Sequence, residues 1–179
     1  MFLTRDRGKK RGVAKNARQS RRRFGGALEP MTFGRVGYLE RERRDLVSVH
    51  YVEALRSPLA GGGSAMRSAT SAYFAELLDE WSPEADANET LFRLGSSMVD
   101  AIADGVPIEP LARYFEYWLL RLQGSTNRIR DTRTRRGRFC AAARAMSPLG
   151  LHDVAVSRTA LRKSRRAIAR RSRSISRRI

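Results

Sequence analysis

Ten cations stand within residues 2–30: Arg5, Arg7, Lys9, Lys10, Arg11, Lys15, Arg18, Arg21, Arg22 and Arg23, against only Asp6 and Glu29. Side chains of this type and density suit one kind of chemistry, the replacement of counterions along a phosphate backbone. Gly8, Gly12, Gly25 and Gly26 punctuate the run, so turns can hold the charges in fixed positions. Phe24, Phe33, Tyr38 and Tyr51 could each stack on a nucleobase; Phe24 follows three arginines in a loop and is the best candidate, while the other three lie in strand-like segments, where a core place is the favoured reading. The expected nucleic-acid contacts are Arg5, Lys9, Lys10, Arg11, Lys15, Arg18, Arg21, Arg22, Arg23 and Phe24.

Other chemistries find no constellation here. Cys140 is the single cysteine, which excludes an intramolecular disulfide and a multi-cysteine zinc site. His50 and His152 are far from each other and from Cys140, so no metal cluster or Cys–His nucleophile is expected. Gly61, Gly62 and Gly63 lack the following Lys-Ser/Thr of a phosphate-binding loop and read as a linker. No catalytic residue, cofactor or small-molecule substrate is therefore expected. Glu76, Asp79, Glu80, Glu84, Asp86 and Glu89 read as a solvated face, with docking of a basic partner as the less favoured use.

The charge that positions this chemistry is uneven. Residues 1–56 carry 15 basic and 6 acidic groups, residues 57–124 carry 4 and 10, and residues 125–179 carry 17 and 2. The total of +18 exceeds what solubility needs and favours a polyanionic partner. No apolar run is long enough to span a bilayer and no signal-peptide h-region opens the chain, so a soluble, cytoplasmic protein is expected.

The first zone reads as β structure over residues 11–15, 32–40 and 45–53, with turns at Gly8-Lys9 and residues 41–44. Val47, Val49 and Tyr51 alternate with Ser48 and His50, as in a strand with one buried face. Phe24-Gly25-Gly26 and Pro30 break any helix across the basic loop. Residues 57–64 form a linker, so the expected division is 1–56, 57–64, 65–124 and a tail over 125–179. In the middle zone Met66, Ala69, Tyr73, Phe74, Leu77, Leu78 and Trp81 share one helical face, ended by Ser82-Pro83. A second helix starts at the cap residue Asn88 and buries Leu91, Phe92, Met98, Val99 and Ile102; a third follows Pro110 and buries Leu111, Phe115, Trp118, Leu119 and Leu122 up to Gly124. Three such helices make a small bundle, and the Arg/Ser-rich tail is expected to be disordered.

Four segments in register, LTRDRGKKRGVAKNARQSRRRFGGALEP, SAYFAELLDEW, NETLFRL and LARYFEYWLLRLQG, resemble the bacterial DNA repair protein RecO family over roughly residues 2–124. The resemblance implies an α+β protein: a partial N-terminal OB-type β-barrel, then a helical bundle domain, then the basic tail. It implies a non-enzymatic recombination mediator that binds single- and double-stranded DNA. The partners it implies are a RecR-like mediator protein and the single-stranded DNA-binding protein, with annealing and loading of the recombinase RecA as outcomes. It places the protein in the bacterial cytoplasm, associated with the nucleoid.

The chain departs from the family pattern at both ends. Relatives begin earlier, with a first strand and most of a second before the equivalent of Phe2, and many carry a four-cysteine zinc site after the position matching Gly124. Two other readings stay open on the residues alone. One is an RNA-associated basic protein of ribosomal type, which the acidic middle zone disfavours; the other is an inactive truncated or frame-shifted member of the family.

Overall fold

The structure, a computed structural model, describes residues 1–17, 19–42, 44–60, 62, 64–124 and 135–153. The chain divides into two compact units, Met1–Ala103 and Asp104–Ile179. Arg18 and most of the expected tail lie outside the described residues.

In the first unit β1 (Phe2–Thr4) and β2 (Gly8–Lys10) form an antiparallel hairpin in which Leu3 faces Lys9. The turn is at residues 5–7 and not at Gly8-Lys9 as expected, because Thr4 closes it: its hydroxyl donates to the Gly8 carbonyl at 2.9 Å and accepts the Arg7 N–H at 3.0 Å. Gly8 has φ +66°, and a Cβ there would sit 2.4 Å from the Asp86 carbonyl oxygen, so this position requires glycine. β3 (Gly12–Val13) runs parallel to the start of β5 (Val47–Arg56), and β4 (Phe33–Leu39) pairs antiparallel on the other side of β5, giving the order β3-β5-β4.

Among the described residues these two sheets do not close into a barrel. A cavity of about 300 Å³ lies beneath the sheet, lined by Phe2, Val36 and Val52 on the strand side and by Ala75, Leu78 and Val99 on the helix side. The remaining strand core is Phe24, Val47 and Val49, with Phe2, Ala14, Val36, Tyr38 and Val52 packed against it.

Two expectations for this zone are corrected. Phe24 does not stand in an open loop: residues 21–24 wind into one helical turn, α1 (Arg21–Phe24), which drops the ring onto β5, leaving it 2% exposed. Tyr51 does not share the face of Val47 and Val49. The register passes from Gly37↔Tyr51 to Tyr38↔Val49, so His50 has no opposite residue; this bulge gives Val52 the inward place and turns Tyr51 outward.

The helices begin and end on local signals. Ser64 accepts the Arg67 N–H at 3.3 Å and opens α2 (Ala65–Trp81), and the Ser82 N–H still reaches the Leu78 carbonyl before Pro83 stops the helix. Its buried face runs through Thr70, Ser71, Phe74, Leu77, Leu78 and Trp81, while Met66 is 64% exposed, so the apolar face starts one turn later than the spacing suggests. Asn88 Oδ1 accepts the Leu91 N–H at 2.9 Å and caps α3 (Glu89–Ala103), which buries Leu91, Leu94, Met98, Val99 and Ile102 against α2.

In the second unit α4 (Ile108–Leu122) takes Pro110 into its first turn, where no N–H is needed. α5 (Arg135–Ala145) and a 3-10 turn over Pro148–Asp153 follow, within the span expected to be tail. They fold because Cys140, Ala143 and Leu151 supply buried apolar groups, while Trp118 Nε1 donates to the Ala143 carbonyl at 3.2 Å and the Tyr114 hydroxyl to that of Met146 at 3.3 Å.

Candidate nucleic-acid interface

The expected cations separate by environment. Lys9, on β2, is 6% exposed; its ammonium donates to the Asp79 main-chain carbonyl at 2.7 Å and lies 3.2 Å from the Asp79 carboxylate. A buried ammonium needs such partners, and having them it is withdrawn from any ligand. Arg11 donates to Glu84 at 2.7 Å and lies 3.6 Å from Asp79, and Lys10 donates to Glu40 at 2.7 Å. Further backbone contacts complete the seam between β2 and the segment after α2: the Ala85 N–H donates to the Lys9 carbonyl at 3.1 Å, and Lys9 bridges Glu84 in parallel. Asp79 and Glu84, read from the sequence as part of a solvated face, are thus internal partners of Lys9 and Arg11.

Arg5, Lys15, Arg22 and Arg23 are exposed. Arg5, in the β1–β2 turn, lies 5.7 Å from the Phe92 ring centroid. Arg23 lies 5.1 Å over the Phe24 ring, donates to the Ser20 hydroxyl at 2.9 Å and reaches the Lys15 carbonyl at 3.2 Å, which fastens α1 to the chain leaving β3. Among the described residues no carboxylate pairs with Lys15, Arg22 or Arg23, so three positive charges gather at this loop without neutralisation. Arg21 opens α1, but its side chain, like all of Arg18, lies outside what is described.

Phe24 anchors the loop from beneath and offers no face to a base, as its 2% exposure requires. The exposed aromatic is instead Tyr51, which is 50% accessible. Arg35, Arg41 and Arg44, all exposed on β4 or in the connection to β5, are further cations absent from the expected set. Clustering of arginines at residues 41–44 was visible in the sequence; the bulge that exposes Tyr51 was not, because periodicity carries no mark of it. Among the described residues no group of three potential metal ligands assembles, and no helix is long and apolar enough to cross a membrane.

Strands of OB type bearing a loop of exposed cations, followed by amphipathic helices, define an α+β protein. Residues 1–58 match the family model for the recombination protein O N-terminal domain, and residues 64–128 match that for its C-terminal domain. The chain belongs to the recombination protein O family. It is 40% identical over 123 residues to the DNA repair protein RecO of Koribacter versatilis, covering 69% of this chain and 50% of the relative. It is 38% identical over 128 residues to that of Anaeromyxobacter sp. strain K, covering 72% and 50%. A more distant relative, from Dehalococcoides mccartyi, is 28% identical over 147 residues. The chain spans about half the length of the curated relatives it matches. No solved structure matches it.

Proposed function

We propose that this chain acts in recombinational DNA repair as a non-enzymatic mediator, holding single- and double-stranded DNA by phosphate contacts from Arg5, Lys15, Arg22 and Arg23. The observation that carries the reading is the concentration at the α1 loop of exposed cations that pair with no carboxylate among the described residues, in a protein whose relatives are named for DNA repair. Lys10 and Arg11 are a reserve: their pairs are exposed on at least one side, with Glu40 49% and Glu84 64% accessible, and such pairs contribute little in water, so phosphate can replace the carboxylate. Lys9 belongs to the fold. Annealing of complementary strands and recombinase loading, with a RecR-like mediator and the single-stranded DNA-binding protein as partners, are the functions that the family resemblance supports for the assembled system, with the helical segment as docking surface.

The test is a fluorescence-anisotropy titration across salt. Alanine at Lys15, Arg22 and Arg23 together is expected to weaken binding and to flatten the log–log salt slope by about 2 on single strands, about 0.7 per lost phosphate contact. An unchanged slope places the phosphates elsewhere. Annealing of strands coated with single-stranded DNA-binding protein, in the presence and absence of the chain, tests the mediator role; no acceleration counts against it.

A further inference from the structure

The outward face of the β4–β5 hairpin carries an arrangement that packing alone leaves unused. Gly37 stands opposite Tyr51 in the register, and the tyrosine ring lies across it: a Cβ on Gly37 would be 2.1 Å from Tyr51 Cε1 and 2.7 Å from Cδ1 and Cζ. One face of the ring is therefore seated on bare backbone, a pairing that compensates a strand glycine. The rest is open, since Tyr51 is 50% exposed. A ring held flat from below and open above is pre-oriented, and stacking a second ring on it costs little further side-chain freedom.

Along this face Leu39 and Val13 lie to one side of the ring, with the connection carrying Arg41 and Arg44 beyond them, and Arg35 beside Glu53 lies to the other. Val13, Ser48 and Leu39 lie in adjacent register on the same face, with Val13 42% and Leu39 46% exposed. Arg35 is two residues before Gly37 and so shares its face; it meets Glu53 only at 3.5 Å, with both side chains more than half exposed. Arg41 and Arg44, also exposed, follow in the connection that leads back into β5. A planar apolar surface with exposed guanidinium groups before and after it along the face matches the alternation of base and phosphate in an unpaired strand, whereas an apolar peptide would make no use of those charges.

We infer that Tyr51 is a base-stacking platform for single-stranded nucleic acid, with Arg35, Arg41 and Arg44 contacting the flanking phosphates. This rests on the nucleic-acid-binding reading above and adds to it a second locus, on the face of the sheet opposite to that packed by Phe24. It predicts a preference for unpaired strands that the loop cations alone do not confer, because a duplex keeps its base faces stacked on one another.

The experiment compares a labelled oligodeoxythymidine with an abasic strand of equal length, using the full chain and the variants Tyr51→Ala and Tyr51→Phe. Tyr51 is half exposed, so both variants retain the fold, checked by circular dichroism. Tyr51→Ala is expected to weaken binding of the thymidine strand about 5- to 150-fold and to leave the abasic strand and the salt slope unchanged, while Tyr51→Phe binds as the parent does. Parent binding with no loss in Tyr51→Ala, or with equal loss on both strands, overturns the stacking platform while leaving the phosphate reading intact. A parent chain that binds neither strand overturns both.

Discussion

Lys9 and Arg22 are both cations of the same short basic run, and their surroundings give them opposite work. Lys9 is enclosed by Asp79 and the main chain, where it ties β2 to α2; Arg22 is exposed, and among the described residues no carboxylate pairs with it. Their substitution should separate cleanly. Lys9→Ala leaves the Asp79 carboxylate and carbonyl short of a donor and is expected to cost about 1–3 kcal/mol in urea unfolding, with little change in the salt slope of DNA binding. Arg22→Ala should do the reverse. A Lys9 variant as stable as the parent but weaker on DNA would return that residue to the binding surface. Phe24 teaches the same lesson from the apolar side, since three preceding arginines made it look like a ligand contact, and one turn of helix made it core.

Among the elements, helices were the more legible from sequence and strands the less. Asn88, Ser64 and the Ser82-Pro83 stop act on backbone groups three or four residues away, so the boundaries they set are written locally. Asn88→Ala is expected to lower stability by about 1 kcal/mol through the exposed end of α3, with Asn88→Asp retaining most of it; thermal unfolding of the two variants checks this. β5 is different. Its alternation predicted Tyr51 inward, and the unpaired His50 reversed that, because the choice depends on what β4 places opposite. The short strands divide: β3, of 2 residues, lies within the β segment expected at 11–15, whereas β2, of 3 residues, includes Gly8-Lys9, which the glycine marks as a turn.

At the scale of the molecule, the division of charge along the chain becomes an internal complementarity in the first unit. The acidic middle zone sends Asp79 and Glu84 to Lys9 and Arg11, and Asp100 to Arg56, whose guanidinium also reaches Ser96 at 2.9 Å and covers Phe33 at 4.1 Å. Among the described residues of this unit, the cations without a carboxylate partner are a smaller set than its composition suggests. The second unit is held instead by buried aromatics with polar tips. Burial holds the Tyr114 hydroxyl above its ordinary 10.0, against a smaller opposing hydrogen bond with Trp118. The unfolded chain therefore loses this proton first, so the stability present below pH 10 should fall as pH rises through 10 and through the higher folded value. Alkaline thermal melts should show this fall, and Tyr114→Phe should flatten it; an identical profile in both would assign the alkaline loss to other groups.

The basic character of the N-terminal run and the places and ends of the helices α2, α3 and α4 follow from interactions between residues close in the chain, which can be weighed one segment at a time. Which cations remain free, and which aromatic ring faces outward, could not be read that way. Lys9 and Asp79 are 70 residues apart, and Tyr51 is turned by a register that two strands set together. Neutralisation and exposure are properties of what the folded chain brings alongside a side chain, and only the tertiary structure supplies that neighbour.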